Sequence, residues 1–244
     1  MQIEEFSQEL KENMKKININ ITDLQTQKFF KYMNLLIEWN QKINLTAIIE
    51  PKDIIIKHFV DCGTLLKYLN SNEKVIDVGT GAGFPGIPLK ILDESINITL
   101  VDSLNKRVNF LNEVISNLNL NNINVIHSRA EDLARNMEYR EQFDKVVSRA
   151  VANLTTLSEY DLPFVKVKGK FLGMKSFEIE EEIEDAKKAI RILGGKIEKV
   201  DRFKLIDSDI GRSIVIISKE NKTPKQYPRK AGKPLKEPLK EPLK

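Results

Sequence analysis

Cysteine, tryptophan and long apolar runs are scarce in this chain of 244 residues. With a single cysteine, Cys62, no internal disulfide can form and a lone thiol makes no structural metal site, so no metal is expected and a reducing, cytoplasmic setting is. Runs such as Ile54-Ile55-Ile56 and Ile214 to Ile217 fall far short of the roughly 18 apolar residues that cross a bilayer. The acidic stretch Met1 to Glu12 lacks the apolar centre of a signal peptide. Neither a membrane nor export is expected. Hydrophobic residues at 41% and charged residues at 30% exclude collagen-like, disulfide-scaffold and wholly disordered classes. The length fits one core, which stops growing near roughly 250 to 300 residues, with at most a small appendage.

The net charge of +4 is unevenly spread. From Lys219 to Lys244 nine cations face three carboxylates, leaving the body slightly acidic. This tail holds five of the nine prolines and repeats Glu-Pro-Leu-Lys at 237–240 and 241–244. It therefore reads as extended, mobile chain, either an electrostatic arm for a polyanion or a solvated end. Removing residues 224–244 is expected to weaken polyanion binding and flatten its salt dependence while leaving the affinity for any cofactor intact.

Three regions follow from the texture of the chain. Residues 1–70 read as helical: Phe6, Leu10 and Met14 are spaced by four, and Phe29, Phe30, Met33, Leu36, Ile37 and Trp39 mark a stripe of a helix that Thr22 or Asp23 can cap. Residues 71–219 alternate short β-branched runs with helical ones, as a doubly wound α/β domain does. Strands are predicted at 74–78, 97–101, 124–127, 143–148, 169–175, 196–203 and 213–218. Only Lys204 to Arg212 joins the last two, too short for a helical crossover, so the final strand should run antiparallel. Residues 220–244 form the basic tail.

The strongest chemical signal is Val75 to Gly86, a strand that runs into a glycine-rich turn and opens a helix. Gly79, Gly81 and Gly83 permit close approach of a ligand to the backbone. Gly81 to Gly86 also reads as G-x-G-x-x-G, with Asp102 about twenty residues on, so a dinucleotide fold competes. Either ligand would place its ribose on Asp102. Asp77 tips the balance, because a carboxylate at the strand end suits the cationic amino acid end of S-adenosylmethionine and repels a pyrophosphate. Asp77 to Gly83 is similar to the first motif of class I methyltransferases, and Phe143 to Ala150 to their fourth strand. The acceptor is narrowed by what is missing. No Asn/Asp-Pro-Pro-aromatic sequence follows strand four, as exocyclic amine methylation usually has, and Cys62 is too far upstream to serve C5-pyrimidine chemistry. A ring nitrogen, which loses no proton, remains.

Seven segments carry a closer resemblance: Trp39-Asn40 with Asn44-Leu45-Thr46, His58 with Asp61, Asp77 to Pro88, Asp102 to Arg107, Ser128 to Glu131, Ser148-Arg149-Ala150, and Tyr227 to Gly232. In order, they resemble the RsmG (GidB) family of bacterial 16S ribosomal RNA guanine-N7 methyltransferases. Cys62 and the repeated tail depart from the family's usual sequence. The resemblance implies the class I methyltransferase fold, with S-adenosylmethionine as cofactor and 16S ribosomal RNA or a small-subunit assembly particle as partner of a monomer. It implies cofactor contacts at Asp77, Gly79, Gly81, Gly83, Phe84, Asp102, Ser103, Leu104, Ala130, Glu131 and Arg149. Arg149, at the end of strand four, and His58, paired with Asp61 across one helical turn, are the expected catalytic residues. Lys106, Arg107, Arg129 and Lys175 are the expected RNA contacts. A small-molecule methyltransferase and a catalytically silent RNA-binding protein remain competing functions.

Overall fold

The computed structural model describes residues 1–149 and 151–240. Ala150 and the second copy of the tetrapeptide, 241–244, lie outside the described residues. Seven strands, β1 (Lys74–Val78), β2 (Asn97–Asp102), β3 (Ile123–His127), β4 (Phe143–Arg149), β5 (Val165–Ser176), β6 (Gly195–Lys204) and β7 (Gly211–Lys219), form one sheet in the order 3-2-1-4-5-7-6. The first five pair in parallel, and β7 inserts antiparallel between β5 and β6. Strand order reverses between β1 and β4, and ligands of such sheets bind at the carboxyl edge beside that switch point.

Successive strand side chains point to opposite faces, and both faces are buried. Val75, Leu100, Val147, Leu172 and Ile216 feed one core; Ile76, Val101, Val146, Phe171 and Val215 feed the other. The first core is covered by α1 (Ile3–Lys16), α2 (Asp23–Ile43), the helix α3 over 51–63, α4 (Gly86–Leu92) and α5 (Asn105–Asn117). The second is covered by α6 (Ala130–Leu133), α7 (Leu154–Asp161) and α8 (Glu180–Ile192).

The N-terminal helices share the sheet's core. Thr22 caps α2 through a reciprocal box, its side chain accepting from the Gln25 amide while Gln25 Oε1 accepts from the Thr22 amide at 2.8 Å. Gln25 Nε2 then donates to the carbonyls of Ile91 and Leu92, satisfying the open end of α4. Phe59 of α3 stacks among Phe29, Tyr32 and Phe84, with ring centroids 4.8, 5.6 and 6.3 Å away. These rings tie α2 and α3 to the glycine loop, so Phe59→Ala should cost about 3 to 5 kcal/mol.

The tail departs from expectation. It is docked from 222 to 240 and is not loose chain. Arg229 donates through its backbone and guanidinium to Glu159, which is 1% exposed. Arg140 donates to the carbonyls of Thr223 and Tyr227 at 2.8 Å. Pro234 is buried in the short helix α9 (Lys233–Lys236), and Leu239 packs on the second core. Buried acceptors and carboxylates supplied by distant parts of the chain hold what composition alone reads as solvated.

Candidate functional site

The site grows from the turn between β1 and α4. The amides of Gly79 and Thr80 both donate to the Val101 carbonyl, at 2.9 and 3.0 Å, and those of Gly83 and Phe84 return to the Thr80 carbonyl. Gly83 has φ +97°, and a β-carbon there would lie 2.5 Å from the Ile87 side chain and 2.8 Å from the Tyr32 hydroxyl. Glycine is required at that bend. Tyr32 donates its hydroxyl to the Ala82 carbonyl, holding the loop from α2. At Gly81, φ +61°, a β-carbon would meet nothing within 4 Å, so this corner opens to a cleft.

Asp77 reaches the loop from beneath. It is fully buried, and one oxygen accepts from the Thr80 hydroxyl at 2.7 Å and the Gly86 amide at 2.8 Å. Burial pushes its carboxyl up to about 7 against these hydrogen bonds. Its geometry is that of a brace for the loop.

Two clefts flank the end of β4. The first, about 330 Å³, is lined by Gly79, Asp102, Ser103, Arg129, Ala130 and Glu131, with Val151 and Tyr160 and, from the tail, Gly232 and Leu235. Asp102 is 2% exposed. It accepts from the amides of Gly81 and Leu104 at 3.0 and 2.9 Å and from Arg107 at 3.4 Å. An ionised carboxylate offers about four acceptor positions, which leaves room for a ribose hydroxyl. The open corner at Gly81, this spare acceptor and the exposed Leu104 fit the nucleoside end of S-adenosylmethionine.

The second cleft, about 380 Å³, is lined by Lys57, His58, Asp61, Arg149, Lys175 and Arg212 among others. His58 sits in a π turn, Ile55–Val60, within α3. The Arg149 guanidinium lies 4.9 Å above the Phe84 ring, which also stacks on His58 at 4.3 Å. Arg149 donates to His58 Nδ1 at 2.8 Å, the Lys57 carbonyl at 2.9 Å and Asp61 Oδ2 at 3.3 Å. The expected pairing of His58 with Asp61 is therefore replaced by an arginine held between them. With Nδ1 accepting, Nε2 carries the proton and faces the Thr46 hydroxyl at 3.0 Å. Burial and the adjacent Arg149 lower the His58 pKa to about 3, so the ring stays neutral. Burial raises the Asp61 carboxyl, opposed by Arg149 and Arg212.

Of the expected RNA contacts, Lys106 and Arg129 are exposed near the first cleft, and Arg107 is half-buried against Asp102. Lys175 lines the second cleft, paired with Glu182 at 2.6 Å. Arg212 escaped the sequence reading. It lies at the start of β7 and reaches Asp61 at 3.3 Å. The signal was available, because a reversed strand brings its first residues, and any cation there, to the carboxyl edge of its parallel neighbours. Thr46 is delivered by the turn after α2, where Asn40 Oδ1 accepts from the amides of Leu45 and Thr46 at 2.6 and 2.8 Å.

Among solved structures, the fold is similar to that of M. jannaschii TYW2 in complex with AdoMet, with a TM-score of 0.51, 20% identity, and coverage of 64% of this chain and 72% of that one. Relatives by sequence are far nearer. A ribosomal RNA small subunit methyltransferase G of Desulforamulus reducens is 54% identical over 93% of this chain and 95% of its own length. Another from Clostridium tetani is 51% identical over 90% and 95%. The model of the GidB family, rRNA small subunit methyltransferase G, matches residues 25–210, from the first turn of α2 to the residue before β7, which takes in most of the lining of both clefts but not Arg212, Gly232 or Leu235. This chain belongs to that family.

Proposed function

We propose that this chain transfers the methyl group of S-adenosylmethionine to N7 of a guanine in 16S ribosomal RNA, acting as a cytoplasmic monomer on the RNA or on a small-subunit assembly particle. Its helical region, 1–70, and its methyltransferase domain, 71–219, would build the second cleft together, and the tail, 220–244, would complete the first. Gly79, Gly81 and Gly83 would border the methionine portion, and Asp102 the ribose. Ser103, Leu104, Ala130 and Glu131 would surround the adenosine. Bound S-adenosylmethionine supplies an electrophilic methyl group on a sulfonium.

The observation that carries the choice of a ring nitrogen is the state of the second cleft, where each basic group among the described lining residues, His58, Asp61 and Glu182, is bound to a cation. The acceptor nitrogen of His58 is occupied by Arg149 and Asp61 Oδ2 by Arg149 and Arg212, while Asp61 Oδ1, which has no partner, is buried away from the cleft's opening. An exocyclic amine would need a group to take its proton. Guanine N7 has a lone pair and no proton, so alignment suffices. Arg149 and Arg212 would orient the base, and Lys57, Lys106, Arg107, Arg129 and Lys175 would hold phosphates. His58 acts through Arg149 as a positioning residue.

Single-turnover methylation of small-subunit RNA at saturating cofactor tests this. The rate should be flat between pH 6.5 and 8.5, because His58, at about 3, does not titrate there. Asp77 titrates near 7 but touches the loop, so its effect falls on cofactor affinity. A tenfold rise in rate per pH unit would contradict a site without a base.

A further inference from the structure

The first cleft has two walls of different origin. The ends of β1, β2 and β3 supply Gly79, Asp102 and Ala130, whereas the far side is closed by Tyr160, Gly232 and Leu235. The tail is fixed in this position by buried partners. The Gly232 amide donates to Glu131 Oε1 at 2.8 Å, and Glu131 is only 6% exposed. The Pro234 carbonyl accepts from the Thr156 hydroxyl at 3.3 Å, and Arg229 makes its paired contacts with Glu159 just upstream. Between these anchors Leu235 is left 62% exposed and Val151 37% exposed, both on the cleft. Two bare aliphatic side chains beside a carboxylate poised for a ribose describe a slot with a polar floor and an apolar rim, which is the shape and chemistry of a purine nucleoside.

We propose that the C-terminal segment from Tyr227 to Lys236 is a wall of the cofactor site, with Leu235 covering the adenosine end of S-adenosylmethionine and Gly232 fixing Glu131 behind it. This rests on the cofactor reading above. It changes what the basic tail is for: the tail supports cofactor affinity, against the expectation that its removal leaves that affinity intact. Leu235 is then a specificity-determining residue for the nucleoside, since its contact is to a flat apolar face that the methionine portion does not have.

Calorimetry on the full chain tests the assignment, with S-adenosylhomocysteine and 5′-methylthioadenosine as probes. Leu235→Ala removes exposed side-chain atoms and no buried contact of the tail, so it folds. It should weaken both probes by about fivefold, and by the same factor, because both carry the adenosine. Leu24→Ala, an exposed leucine of α2 away from the cleft, should change neither. Amide exchange across 229–236 should slow when S-adenosylhomocysteine binds. If the wild type binds both probes, and Leu235→Ala binds them equally well with no slowing of exchange, the tail is not part of the site while the cofactor reading stands. If the wild type binds neither probe, the cofactor reading itself fails and the wall with it.

Discussion

Replacing His58 with asparagine isolates one titration that the geometry makes unusual. In the folded protein the ring is held neutral, with its pKa lowered from 6.5 to about 3. Burial is the largest cause, followed by Arg149 donating to Nδ1 and by Arg212. In the unfolded chain the ring titrates at its ordinary value. Below pH 6.5 the unfolded state therefore binds a proton that the folded state refuses. The stability His58 contributes is complete above 6.5 and is lost progressively as pH falls towards 3. Between pH 7 and pH 5 the loss is about 2 kcal/mol, at about 1.36 kcal/mol per pH unit beyond the unfolded pKa. Asp77 works in the opposite direction: its folded pKa is raised to about 7, so protonation stabilises the folded state as pH falls from 7 towards 4. Asp61, also raised by burial, faces His58 through Arg149 and shifts the same way. The total slope is thus a poor readout, and the difference between proteins is the useful one. Urea denaturation of wild type and His58→Asn at pH 5 and 7 should show the wild type losing about 2 kcal/mol more than the variant. Asparagine is chosen because its side-chain oxygen can still accept from Arg149. Parallel slopes would mean that His58 charges in the folded protein, and the arginine-bound neutral ring would be wrong.

Other outcomes follow from single contacts. Arg149→Ala should lower the single-turnover methylation rate far more than it weakens RNA binding in a filter assay, and Arg149→Lys should not rescue it, because one ammonium cannot span Lys57, His58 and Asp61. Asp102→Ala should weaken S-adenosylhomocysteine by about 1 to 3 kcal/mol in calorimetry, as loss of a charged acceptor does. Ending the chain at residue 226 should lower stability by about 3 kcal/mol or more in urea, since Glu159 is left buried without Arg229.

Much of the fold could be read from pattern. β1 matches its predicted bounds, and β2, β3, β4, β6 and β7 differ by a residue or two at one or both ends, because the central strands carry dense β-branched runs and the edge strands β3 and β6, with no fully buried residue, still alternate apolar with polar side chains. β5 begins at Val165, four residues earlier than expected. Lys166 and Lys168 broke the apolar pattern there, and a register shift against Phe143 and Lys145 accommodates the extra length. The antiparallel end of the sheet followed from a short connection. Local sequence could not reveal the π turn around His58, which depends on packing between α2 and the glycine loop. Nor could it reveal the docked tail. Arg229 finds Glu159 across 70 residues and Gly232 finds Glu131 across 101, and such pairings leave no trace in the composition of either partner.

At the site, the glycine loop, Asp102 and Arg149 were legible because each stands at the carboxyl end of a predicted strand. Position did not reveal role in the same way. Asp77 was expected to face a ligand and lies beneath the loop; His58 was expected to pair with Asp61 and instead accepts from Arg149. Arg212 was hidden in a strand read only for its apolar residues.

Methyl transfer to a ring nitrogen of guanine can be read directly from the product. Small-subunit RNA lacking the modification should be incubated with the protein and methyl-labelled S-adenosylmethionine, then digested to nucleosides and separated by chromatography against standards of the methylguanosine isomers, which share one formula. The label should appear in 7-methylguanosine, and far more slowly with Arg149→Ala under the same single-turnover conditions. Label in a base methylated on an exocyclic amine or on carbon, or no transfer to RNA by the wild type, would contradict the account.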